Sequence, residues 1–207
     1  MTRCMSFVAA MLALTLAVLA ADPSTKPVTV DLSSPKAALK TFVDGIKSGD
    51  VEAAKKVCRI SDEQDKKLVN AGVAWESALE RLVAVVQEKL GEDAATAVRD
   101  KVGNAAPSTF VPALEKALAS VEFDNGSDSQ TVALDEGNPP LKLAKDGTDW
   151  KIDVAQTMTD VQPQQKQRLT RMMNGSAKKI HQAREAVASG KITSVDQLTQ
   201  AMATKEK

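Results

Sequence analysis

Residues 121–154 read VEFDNGSDSQTVALDEGNPPLKLAKDGTDWKIDV, and their periodicity decides the fold. Apolar side chains recur at every second position in four runs: Val121 and Phe123, Val132 and Leu134, Leu141 and Leu143, then Trp150, Ile152 and Val154. A period of two belongs to a strand with one buried face. Asn125-Gly126 and Asp146-Gly147 stand between runs, and such dipeptides suit tight hairpin turns. The intervening Thr131, Ala133, Lys142, Ala144, Lys151 and Asp153 give the opposite face a mostly polar character. The pattern predicts a four-stranded antiparallel meander, greasy on one side and wet on the other.

The greasy side needs a cover, and the sequence before it supplies amphipathic helices. Ser34-Pro35 starts the first, because the hydroxyl accepts from an orphan amide and proline at the first position loses no needed donor. Ala38, Leu39, Phe42, Val43 and Ile46 then follow the helical spacing of one buried stripe until Ser48-Gly49. Asp50 caps a short second helix through Val57, and Cys58, between Val57 and Ile60 in that helical pattern, reads as a small core hydrophobe, with an intermolecular partner as the alternative. Ser61 with Gln64 predicts a capping box for a long third helix, in which Leu68, Trp75, Leu79, Leu82, Val83, Val86 and Leu90 share a face until Gly91. Weaker helical pieces follow at 92–102 and 109–119. After Pro163 the helical period returns through Leu169, Met172, Met173, Ile180, Ala183 and Val187, with Asn174-Gly175 as a candidate break. Ser194-Val195-Asp196-Gln197 opens a last short helix.

The predicted class is therefore α+β: N-terminal helices packed on one face of a four-stranded antiparallel meander, followed by a helical C-terminal extension. The chain has 207 residues, 43% hydrophobic and 26% charged, which excludes a disordered or disulfide-scaffold protein. Residues 1–20 read as a signal peptide: Arg3 precedes the 14-residue apolar run Phe7 to Ala20, too short for a membrane span, and Val18-Leu19-Ala20 meets the small-x-small cleavage pattern. Cys4 lacks the context of a lipoprotein cysteine, so the product is expected in the periplasm or outside the cell, without a lipid anchor. Residues 21–33, with two prolines, are an extended leader; 34–160 form the α+β domain; 161–207 form the extension.

Two stretches carry a family resemblance. Residues 34–50, SPKAALKTFVDGIKSGD, look like the opening helix and turn of the nuclear transport factor two-like superfamily, including its SnoaL-like members, and residues 146–153, DGTDWKID, look like its closing strand. The resemblance covers roughly Ser34 to Val154 and implies a cystatin-like cone, a strongly bent antiparallel sheet wrapped on helices, as in small secreted bacterial members. Members of that superfamily include enzymes and pure binding domains, so the likeness alone does not choose a function. A ketosteroid-isomerase-like activity would require an acid or base in the cone and a donor for the enolate oxygen, commonly Tyr. This chain has no Tyr, and the predicted inward register of its strands carries no carboxylate.

Other chemistry is equally sparse. His181 is the only histidine and reads as solvated; with Cys58 it makes neither a nucleophile-base pair nor a zinc set, and glycine-rich phosphate loops are absent, so no cofactor is expected. Asp124-Asn125-Gly126-Ser127-Asp128 has calcium-loop residue types, but Ser129 stands at the sixth position and Asp135 at the twelfth, where Gly and a bidentate Glu are wanted, and a plain hairpin is the better reading. Trp75 and Trp150 are either ordinary core residues or the walls of a pocket for a flat or apolar ligand. Charge is segregated. Residues 121–160 hold nine acids against three lysines, whereas 162–191 hold seven bases against Glu185. Lys166, Arg168, Arg171, Lys178, Lys179 and Arg184 either lie near the acidic sheet or present an amphipathic cationic face to anionic lipid, cell-wall polymer or a protein. Nucleic acid is disfavoured by export and by the lack of interleaved aromatics. Without a catalytic constellation, the expectation is a non-catalytic exported binding domain enclosing a small apolar ligand. The alternatives are a small enzyme acting on a hydrophobic substrate, an envelope protein binding anionic surfaces, and a homo-oligomer paired through the Met172-Met173 helix.

Overall fold

The computed structural model describes residues 26–105, 110–134 and 139–203. The expected signal peptide, Cys4, the start of the leader, Asp135 and Glu136 lie outside them. The elements run α1 (Pro35–Ser48), α2 (Val51–Lys56), β1 (Cys58–Arg59), α3 (Glu63–Leu90), α4 (Glu92–Ala105), α5 (Phe110–Ser120), β2 (Ser129–Val132), β3 (Leu141–Asp146), β4 (Asp149–Asp153), α6 (Val154–Thr157), α7 (Pro163–Ala188) and α8 (Val195–Ala203).

The α+β class holds, but the four-stranded antiparallel meander does not. The sheet is small and mixed, in the order β1-β4-β3-β2, with β1 parallel to β4 and the other two pairs antiparallel. Val121–Phe123 forms no strand. Polar groups in and just after it are taken locally: Val121 N donates to Ala117 O at 2.9 Å, Gln130 Nε2 donates to Glu122 O at 2.9 Å, and Asp124 N donates to Gln130 Oε1 at 3.2 Å. Asp124 then closes the turn on itself, accepting from Gly126 N at 2.8 Å and Ser127 Oγ at 2.6 Å. These side-chain bonds offer the backbone an alternative to a ladder.

The fourth strand comes from Cys58 and Arg59 instead. They pair in register with Ile152 and Asp153, Ile152 N donates to Val57 O at 2.8 Å, and the Arg59 guanidinium pairs with the buried Asp153 carboxylate. The end predicted for α2 thus turns into extended chain one residue early, and Cys58 belongs to the sheet. The leader also lies along β4, through Trp150 N to Leu32 O at 2.8 Å. The two stretches that resemble the cystatin-like superfamily form α1 with its turn and the end of the β3–β4 hairpin, but the sheet they join is mixed where the resemblance implies an antiparallel one.

Helix ends follow their chemistry. Ser34 Oγ accepts from Ala37 N, and Gly49 closes α1 at φ 76°. Gly45 lets α1 and α2 touch, since a Cβ there would sit 2.8 Å from Ala54 N. The cap of α3 is Asp62 rather than Ser61, with its carboxylate accepting from Asp65 N at 2.7 Å. Helix α7 is continuous through Asn174-Gly175.

Two hydrophobic clusters fill the molecule, with α3 contributing to both. One gathers the apolar faces of α1, α5 and the sheet, including Leu39, Phe42, Leu114, Val132, Leu141 and Trp150. Of the residues that were to face inward, Val132, Leu141, Leu143, Trp150, Ile152 and Val154 are buried, whereas Val121, Phe123 and Leu134 are half-buried against the same cluster. The other joins the C-terminal half of α3 to α4, α7 and α8 through Trp75, Leu79, Leu82, Val86, Ile180 and Val187.

Candidate functional site

A cavity of about 280 Å³ lies between the N-terminal half of α3 and the sheet. Helix α3 supplies Leu68, Val69, Gly72, Val73, Trp75 and Glu76; the sheet supplies Cys58, Leu141 and Ile152; α1 supplies Phe42 and Ile46. Phe110, at the start of α5, stands edge-on to Phe42 with ring centroids 6.3 Å apart, so two aromatic rings make one wall. The deep residues are buried, whereas Val69, Thr157, Met158, Val161, Leu169 and Met173 are half-buried and form a rim made by α3, the α6 turn and α7.

The floor of this apolar chamber carries a carboxyl group. Glu76 is only 5% exposed. Its Oε1 accepts from Phe110 N at 3.2 Å, so that α3 helps satisfy the first amides of α5, and its Oε2 has no hydrogen-bond partner among the described residues. Burial drives the pKa up to about 8; the neighbouring Glu80 adds to the rise, while the Phe110 and Val111 amides and Arg99 oppose it. Near neutral pH the group is mainly a carboxylic acid, with a hydroxyl proton to donate. Its neighbour one turn on behaves differently: Glu80 receives Arg99 in a two-pronged pair at 2.7 and 2.9 Å.

The other polar groups on the cavity wall are Cys58 and Thr157. Thr157 Oγ1 accepts from Lys142 N at 3.1 Å. Burial pushes the Cys58 thiol up to about 12, which keeps it protonated and unreactive as a nucleophile. No group of His, Cys, Asp and Glu that could hold a metal occurs among the described residues.

The structure separates the two tryptophans. Trp75 lines the cavity, but Trp150 lies in the cluster beneath α1, with Lys145 Nζ 5.5 Å above its ring. The basic residues also divide. Lys166 turns inward to Asp65, at 2.7 Å, within the contact between α7 and α3. Lys179 Nζ donates to Met202 O at 3.4 Å, and Arg184 is half-buried with Arg81 and His181 around a small recess. Arg168, Arg171 and Lys178 lie on the exposed side. Helix α7 packs along α3, so its cations are not laid on the acidic sheet. His181 is exposed and 3.1 Å from Glu185. Of the methionine pair, Met172 is exposed, whereas Met173 reaches the cavity rim.

Glu76 lies on α3, not on the strands whose inward register lacks a carboxylate. The signal lay in α3: Glu76 falls three residues after Val73 and three before Leu79, so a helical wheel sets it on the apolar stripe. Comparison with family models, with curated proteins and with solved structures returns no match for this chain.

Proposed function

We propose that the protein binds one small apolar molecule between α3 and the sheet. The observation that carries the reading is the cavity itself, hollow where a core of this composition would otherwise close, and walled by apolar side chains apart from Glu76, Cys58 and Thr157. Well-formed apolar pockets with few convergent polar groups are the usual form of small-molecule sites. Export, read from the apolar run Phe7 to Ala20, belongs to the same proposal and rests on sequence.

One observation favours the enzyme alternative: a buried acid of raised pKa in a cleft is suited to proton transfer. Such chemistry also needs a second group that takes or returns the proton, and beside Glu76 the ionisable group on the described wall is the Cys58 thiol, which stays protonated. Binding is the reading that uses every feature of the site.

The test is a displacement titration with the apolar dye N-phenyl-1-naphthylamine, followed through Trp75 and dye emission. Stoichiometric binding lost in Gly72→Leu supports the proposal, since position 72 opens toward Met173 and a leucine there occupies the space. Absence of dye binding, or binding unaffected by that substitution in a folded variant, contradicts it.

A further inference from the structure

The polar chemistry of the cavity names the occupant more closely, on the premise that the cavity is a ligand site. Phe110 N donates to Glu76 Oε1, which marks Oε1 as the carbonyl-like oxygen and leaves the proton to Oε2. That atom is buried, on a residue that lines the cavity, and has no hydrogen-bond partner among the described residues. Buried polar atoms are nearly always paired, and an orphan at the wall of a cavity points to a partner that the cavity itself is to hold. An apolar occupant without polar atoms leaves that hydroxyl unpaired, and a carboxylate occupant places a net charge among apolar walls beside Glu80. A neutral acceptor avoids both costs.

We infer that the cavity selects an uncharged, largely hydrocarbon molecule of about ten non-hydrogen atoms, at roughly 30 Å³ for each water-sized group, whose single carbonyl oxygen accepts the hydrogen bond of Glu76 Oε2. The charged groups near this carboxyl are Glu80 on its own helix and Arg99 from α4, which hold one another. From α5 the Phe110 amide donates to Oε1 and the nearby Val111 amide also favours the charged form, with Glu115 further along that helix near Arg99. Cys58 is the ionisable group that the sheet adds to the cavity wall, while α1 and α7 contribute apolar side chains there. Deprotonation of Glu76 therefore removes the donor at that oxygen.

The experiment compares 2-decanone, decane and decanoate as competitors of the bound dye at pH 6.5 and pH 9.5, on the wild-type chain, Glu76→Gln and Glu76→Leu. At pH 6.5 the wild type is expected to prefer the ketone to the alkane by about tenfold beyond their difference in water solubility, the order of one hydrogen bond to an otherwise unpaired buried group, and to bind decanoate weakest. At pH 9.5 the ketone preference should disappear. Glu76→Gln keeps a donor that does not titrate and should retain the preference at both pH values, whereas Glu76→Leu should bind ketone and alkane alike. A purely structural role for Glu76 predicts altered stability in the variants with an unchanged ketone-to-alkane ratio, and that result overturns the inference. Equal binding of ketone and alkane by the wild type also overturns it, while leaving the apolar site intact. Failure of all three to displace the dye removes the binding proposal itself.

Discussion

Glu76 and Glu80 lie one helical turn apart on α3, both buried, in opposite chemical situations. Glu80 sits where α4 delivers the Arg99 guanidinium to both its oxygens, and the neighbouring cluster of α3, α4, α7 and α8 is continuous hydrophobic packing. Glu76 sits where α3 faces a hollow, with one oxygen on a backbone amide and the other without a partner among the described residues. A buried charge is tolerated only when it is paired; without a partner the group holds its proton instead. The same residue type thus serves as half of an ion pair at one position and as a neutral donor four residues earlier. The difference lies in what the surrounding elements supply, not in α3.

The largest expected effect is on the pH dependence of stability. The folded pKa of Glu76 lies above its unfolded value, so the native state binds the extra proton between the ordinary 4.5 and about 8. Glu76 therefore costs nothing below pH 4.5, its penalty grows as pH rises through that window, and it levels off above about 8. At about 1.4 kcal/mol per unit, the wild type should lose up to about 5 kcal/mol relative to Glu76→Gln across the window. Urea denaturation of both proteins from pH 4.5 to 9 checks this, and parallel curves would contradict it. Asp50 acts in the opposite direction: the Val28 and Ala53 amides hold its pKa down, so its contribution is lost on acidification in both proteins and cancels in the comparison.

Removing the partner of Glu80 should convert it into a second orphan. Arg99→Met leaves that carboxylate buried without its counter-ion and should cost about 3 to 5 kcal/mol at pH 7. Urea denaturation at that pH reads the loss. Packing should show the same contrast. Leu82→Ala, in the filled cluster, should cost about 3 kcal/mol, whereas Leu169→Ala, at the half-buried cavity rim, should cost about 1 kcal/mol or less. Equal losses from the two truncations would mean that the rim is as tightly packed as the helical cluster. The smallest effect is a gain. A Cβ at Gly72 would meet Met173 Sδ at 3.8 Å, an ordinary contact, so Gly72→Ala should stabilise by about 0.5 to 1 kcal/mol through helix propensity while narrowing the cavity. Thermal denaturation with and without dye separates these two consequences.

What the sequence disclosed followed the strength of its periodicity. The long stripes made α3 and α7 legible, and the Asp146-Gly147 turn located the β3–β4 hairpin. Asn174-Gly175 did not break α7, because its apolar stripe packs against α3 on both sides of that dipeptide, at Met173 and at Ile180. Two-residue β1 has no period to detect, since it exists only because β4 offers an unoccupied edge. Val121 and Phe123 alternate like a strand and pack on the sheet cluster, yet Gln130 and Asp124 claim the backbone groups a ladder would need. At the site, the sequence left Trp75 and Trp150 as core residues or cavity walls; Trp75 lines the cavity, whereas Trp150 was drawn under α1. Lys166 was legible as a cation; its commitment to Asp65 requires knowing that α7 lies on α3. Glu76 was concealed because an acid on an apolar stripe gains its meaning from the space opposite it.

The central claim is that an uncharged acid stands in an apolar chamber at neutral pH. The most direct measurement is a carbon-13 NMR titration of the side-chain carboxyls, with Glu76 assigned by its absence in Glu76→Gln. A carboxyl that titrates near pH 8 and is missing from the variant is the predicted result; a Glu76 resonance that titrates near 4.5, as an open glutamate does, would contradict the account.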